Sequence, residues 1–147
     1  MEKDVLLKIQ GLQIAPQEQS EVIEVITAGE YYFRNGQHYF IYEEVMEGDT
    51  MTTKNIVKVK EDYMELTKKG AVNVHMVFEK NKQNFTYYYT PYGSLKIGID
   101  ANEVSLWERE DEITLQVLYG LEMNHEHLAN CQIRLTAIPK SKKDFQI

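Results

Sequence analysis

One cysteine, Cys131, stands in a chain of 147 residues, which excludes an internal disulfide and any zinc site built from cysteines. A buried, inert thiol is the plain reading of it. Cations are also in short supply. Sixteen Lys and Arg face 23 Asp and Glu, leaving a formal net charge of −7. Phosphate neutralisation needs clustered Lys and Arg, and the only basic concentration in the sequence is the tail Lys140, Lys142 and Lys143, read as a solvated end. Nucleic acid is therefore not an expected partner. No apolar run approaches the ~18 residues of a spanning helix. The opening MEKDVLLKIQ has neither a basic leader nor a long apolar stretch, so the expectation is a cytosolic protein with no membrane partner. Glycine-rich phosphate loops, Gly-Xaa-Ser-Xaa-Gly elbows and zincin helices are missing, and with them the common nucleotide, hydrolase and metalloprotease chemistries.

What is present is an ordinary globular composition, 43% hydrophobic and 27% charged, of one-domain length (1–147). Its dominant pattern has period two, the spacing that puts alternate side chains on one face of a strand. Ile113, Leu115, Val117, Tyr119, Leu121 and Met123 alternate with more polar neighbours, and so do Leu95, Ile97 and Ile99, Val74, Met76 and Phe78, and Ile133, Leu135 and Ala137. Turn signals separate these runs: Asn35-Gly36, Glu47-Gly48-Asp49, Lys69-Gly70, Asn81 to Asn84, and Glu110-Asp111. Asn-Gly suits a two-residue type I′ hairpin and makes arms of residues 30–33 and 37–42. Residues 60–70 carry helix formers ending at Gly70, but the strand pattern of Ile56 to Val59 just before them favours a hairpin. Eight to ten antiparallel strands with short connections point to an all-β fold, a closed up-and-down barrel, because closure removes exposed edges.

Particular segments carry a resemblance. Gly29-Glu30-Tyr31-Tyr32, Gly36 to Glu44, Thr52-Thr53-Lys54, Met76-Val77-Phe78 and Thr90-Pro91-Tyr92-Gly93 resemble the YwiB-like family of uncharacterised bacterial proteins, in order and over nearly the whole chain. The resemblance implies an antiparallel barrel similar to the lipocalins and related calycins, and it brings no established activity. Where that family often has an arginine before the glycine at Gly70, this chain has Lys69, a point charge in place of a planar fork.

Candidate site residues follow from barrel geometry. A small barrel can hold one partly apolar molecule between aromatic walls and a few polar groups. Tyr39, Glu43, Thr90 and Tyr92 are the candidate ligand-binding residues. Glu43 and Glu44 point to opposite faces, so one of them faces inward and needs a partner, with Arg34, Arg109, Arg134 or Lys54 as candidates. In FTYYYT, Phe85, Tyr87 and Tyr89 share one face and Thr86, Tyr88 and Thr90 the other, so at most part of the tyrosine cluster lines a pocket. The competing reading is that inward tyrosines simply fill the barrel. His38 and His75 are expected on outward faces. His125-Glu126-His127 would put two imidazoles on one face if extended, but a third ligand is lacking and a polar loop is the simpler reading. No nucleophile, base or metal set assembles, so an enzyme, a metal and a cofactor are not expected. The alternative to ligand binding is an interaction module, pairing with itself or a partner through an outer aromatic face such as Tyr31, Phe33 and Tyr88.

Overall fold

In the computed structural model of the chain, the described residues are 1–11, 24–45, 51–70, 73–90 and 93–142, the side chains of residues 88–90 excepted. Among them are ten strands: β1 (Asp4–Gln10), β2 (Glu24–Arg34), β3 (Gln37–Val45), β4 (Thr52–Lys60), β5 (Tyr63–Gly70), β6 (Val74–Glu79), β7 (Lys82–Thr90), β8 (Gly93–Arg109), β9 (Glu112–Met123) and β10 (Glu126–Pro139), with a 3-10 turn at Lys140–Lys142. All ladders are antiparallel and join neighbours in sequence, with one exception that decides the architecture. β1 pairs with β2 on one side and with β10 on the other, as in Val5 against Gly29 and Pro139. The sheet order β6-β5-β4-β3-β2-β1-β10-β9-β8-β7 leaves β6 and β7 as its two edges, and the turn at Lys80-Asn81 joins them. Thr86 Oγ1 donates to the His75 carbonyl at 2.6 Å across that seam. The result is a nearly closed ten-stranded barrel.

Local chemistry sets the turns. Asn35 and Gly36 both have positive φ, 52° and 75°, as a type I′ hairpin requires. Asp62 (φ 59°) in the β4–β5 turn and Asn81 (φ 62°) in the β6–β7 turn take the same conformation, Asx residues tolerating it best after glycine. The β4–β5 hairpin turning at Glu61-Asp62 settles residues 60–70 as strand, because period-two burial of Met64, Leu66 and Lys68 outweighs helical propensity. The expected turn over Asn81 to Asn84 is shorter, with Lys82 onward already in β7, and Glu47 to Asp49 lie outside the described residues.

Period two carries most of the apolar side chains inward. Val5, Leu7, Phe40, Val57, Val59, Met64, Leu66, Phe78, Leu115, Val117 and Leu135 are essentially excluded from solvent. Phe78 meets Tyr119 edge-on at 5.0 Å between centroids, an arrangement aromatic quadrupoles favour. β8 outruns β7. Lys82, the first residue of β7, pairs with Ala101, so β8 beyond the bulge at Ala101/Glu103 pairs with β9 alone and forms an arm toward the barrel end.

The register predicts a contrast between two phenylalanines. Phe78→Ala, in the core, should cost about 3–5 kcal/mol, whereas Phe85→Ala, on an outer face, should stay within about 0.5 kcal/mol. Urea unfolding midpoints measure both, and equal losses would mean that the inward parity of β6 or the outward parity of Phe85 in β7 is wrong.

Candidate ligand site

Four polar side chains, Glu44, Thr53, Asn55 and Lys68, break the apolar interior near one end of the barrel, beside the Tyr42 phenol. The ladders place them side by side: Tyr42 opposite Asn55 and Asn55 opposite Lys68, with Glu44 opposite Thr53 in the next inward row. Lys68 is only 6% exposed and its Nζ lies 2.6 Å from Glu44 Oε1. Asn55, 0% exposed, donates from Nδ2 to the same Glu44 oxygen at 3.1 Å and to the Thr53 carbonyl at 3.4 Å. Its Oδ1 meets no protein partner among the described residues. Burial by itself would raise the Glu44 carboxyl. The Lys68 hydrogen bond and charge, with the Asn55 amide, outweigh it and hold the carboxyl below its usual value. Burial also pushes the Tyr42 phenol well up, so it stays protonated. Chemically this is a wall with one ion pair, one unpartnered acceptor and neutral hydroxyls.

At the opposite end lies a second polar chain. Tyr31 donates its hydroxyl to His38 Nδ1 at 2.7 Å, and His38 Nε2 lies 3.2 Å from Glu108 Oε1 on the β8–β9 arm. Phe33 packs on the imidazole at 4.8 Å between centroids. A neutral imidazole fits both contacts, accepting at Nδ1 and donating from Nε2. Burial lowers the His38 pKa against the opposing pull of Glu108, and burial together with Glu108 raises that of Tyr31. A cleft of about 450 Å3 opens here, lined by Met1, Lys3, Tyr31, Tyr32, Phe33 and Glu108.

Several expectations need correction. Tyr39 is half-buried on the outer face and Glu43 is exposed opposite Lys54, because the parity that buries Phe40 and Tyr42 turns their neighbours outward. Neither lines the interior. Glu44 is the inward glutamate, and its partner is Lys68 rather than Arg34, Arg109, Arg134 or Lys54. Lys69, where the resemblance suggested an anion contact, is exposed. His38 points inward, sharing the parity of Phe40, while His75 is outward as expected and pairs with Glu65 at 2.7 Å. Tyr31 is buried and Phe33 sits on the inward parity at the barrel mouth, so they form no outer patch. Phe85 and Tyr87 do face outward, 48% and 52% exposed. Thr90 ends β7 opposite Gly93 with its side chain outside the description, and Tyr92 lies outside the described residues. His125 sits in a turn with φ 69°, so His125 and His127 do not share an extended face. Lys68, Asn55 and His38 were legible in principle: each falls on the apolar parity of its own strand, which marks a buried polar group.

An antiparallel barrel with a polar cluster walled into its interior is the class that this fold and site define. The pattern of the family described as "Domain of unknown function (DUF1934)" matches residues 7–135, and the chain belongs to that family. It is similar to the "Uncharacterized beta-barrel protein YwiB" of Bacillus subtilis (strain 168), 29% identical over 115 residues that cover 77% of this chain and 80% of the relative. The crystal structure of the ywiB protein from Bacillus subtilis superposes with a TM-score of 0.72 at 25% identity, over 90% of each chain.

Two predictions follow from the electrostatics. Removing one member of the ion pair strands the other, so Lys68→Met should cost roughly 1–3 kcal/mol, below the full penalty of a wholly buried pair because the Glu44 side chain is 35% exposed. The double change Glu44→Leu, Lys68→Met should recover most of that loss, and chemical denaturation of the single and double variants reads both. For His38 the folded pKa lies below the unfolded value near 6.5, so the unfolded chain binds the extra proton. Stability should therefore fall as pH drops below about 6.5, in a window above that of the lowered carboxylates Glu44 and Glu65. His38→Gln should flatten this part of the denaturation-versus-pH profile, and an unchanged slope would remove His38 as its source.

Proposed function

We propose that the protein is a binding protein that holds one small, partly apolar molecule inside the barrel, against Glu44, Asn55 and Lys68. The observation that carries this reading is the Asn55 carbonyl, wholly buried and without a protein partner among the described residues. A buried acceptor left unmade costs about 1–3 kcal/mol, a cost that a ligand N–H or O–H would offset. Around it, Tyr42, Val57, Leu66 and Val74 supply an apolar wall for the rest of the molecule. Small closed barrels can hold one ligand in the interior. Binding is favoured over catalysis because the Tyr31 phenol beside His38 is pushed up, away from nucleophile activation. The same reading keeps the protein cytosolic and free of cofactors, and no helix among the described residues is long and apolar enough to cross a membrane.

A second reading, self-association through the outer face, is favoured by Phe85 and Tyr87, exposed together on the β7 edge beside the β6–β7 seam. One experiment addresses both. Native mass spectrometry of the protein purified from its own type of cell, compared with the denatured sample, should show one extra small mass per chain, lost in Asn55→Leu. A bare chain mass overturns ligand binding, and a dimer lost in Phe85→Ser with Tyr87→Ser supports association.

A further inference from the structure

The cations that look scattered in the sequence gather on one outer face. On β2 to β5 the ladders set Tyr32 opposite Tyr39, Tyr39 opposite Lys58, and Lys60 opposite Tyr63. Each tyrosine ring carries a cation: Arg34 lies 5.5 Å from the Tyr32 centroid, Lys58 5.9 Å from Tyr39 and Lys60 5.1 Å from Tyr63. Among the described residues none of the three has a carboxylate within ion-pair distance. The neighbouring acids are already engaged. Glu30 accepts from Tyr32 at 2.6 Å and pairs with Lys3 at 3.3 Å, while Glu65 accepts from Tyr63 at 2.7 Å and pairs with His75. A groove of about 500 Å3 runs between the first two rings, lined by Tyr32, Arg34, Asn35, Tyr39 and Ile41.

We infer that this groove is a second site, separate from the barrel interior, for a small planar aromatic anion of the nucleoside monophosphate class. The ring of such a ligand lies along Tyr32, Tyr39 and Ile41, where stacking accepts any base because every base has a π-face. Its phosphate meets Arg34, whose fork suits two phosphate oxygens, while Lys58, over Tyr39, adds positive charge beside the groove. Asn35, at the turn, adds an amide for the sugar or base edge. The size of the ligand is set by charge. A net −7 repels a polyanion at long range, whereas one phosphate at this spot meets local positive charge inside about one Debye length.

The test is a nuclear magnetic resonance titration of the full chain with a nucleoside monophosphate, the bare nucleoside and inorganic phosphate. The nucleotide should shift Tyr32, Arg34 and Tyr39 signals saturably and bind at least about tenfold more tightly than either half. Arg34→Gln, at an exposed position that leaves folding intact, and Tyr39→Leu should each weaken it about tenfold. Asn55→Leu should leave it unchanged, which separates this site from the interior one. Equal affinity for the nucleotide and its halves, or full binding by Arg34→Gln, would overturn the inference. So would a short single-stranded oligonucleotide that binds with a steep salt dependence while the mononucleotide does not.

Discussion

Pairing of β1 with both β2 and β10 is the constraint on which the rest of the molecule depends. Nine hairpin-like steps would otherwise give a long twisted sheet with an apolar face and two open edges, an aggregating surface rather than a fold. Bringing the first strand against the last wraps that face into an interior, and on the other side of β1 a glycine lets β2 pack closely. Gly29, which β1 faces at Val5, packs directly under the Leu7 side chain and the Ile41 carbonyl. The remaining seam between β6 and β7 is held by the turn and by side-chain contacts such as Thr86 to the His75 carbonyl. It is the weakest circumferential link and borders the exposed rings of Phe85 and Tyr87.

Once the interior exists, its few polar groups become expensive. In an apolar wall of Val57, Leu66, Met76 and Phe78, the Glu44–Lys68 pair adds little net stability over an apolar pair of the same volume, since desolvation offsets attraction. A barrel selected for stability alone has no use for a wholly buried asparagine with one acceptor left over. That conflict between local chemistry and packing is the kind seen at functional positions. His38 at the other end differs in both respects. Both of its nitrogens are partnered, and its contact to Glu108 ties the β8–β9 arm to the barrel, so its chemistry is accounted for by structure.

Charge is divided in a comparable way. The chain is acidic overall, yet the sheet brings Arg34 of β2 and Lys58 and Lys60 of β4 onto one outer surface, each set over a tyrosine. Their charged heads lie over the rings and, among the described residues, have no carboxylate within ion-pair distance. One arrangement thus shields the rings and leaves the face receptive to anions.

Much of the fold was legible in the residues alone. The alternation in Ile113 to Met123 and Val74 to Phe78, the Asn35-Gly36 turn and the number of turn signals point to an antiparallel barrel of eight to ten strands, because period-two burial and positive φ are local properties. The site was not legible in the same way. Tyr39, Ile41 and Glu43 form as plausible an inner face as Phe40, Tyr42 and Glu44, since both sets are amphipathic, and a strand with aromatics on each side does not announce its own parity. Only closure of the barrel decided it, by burying Phe40 against Tyr31 and turning Tyr39 to solvent. Likewise no spacing links Glu44 to Lys68, 24 residues apart, or His38 to Glu108. Those pairs exist because ladder register and the reach of the β8–β9 arm bring distant strands together, and register is a property of the assembled sheet.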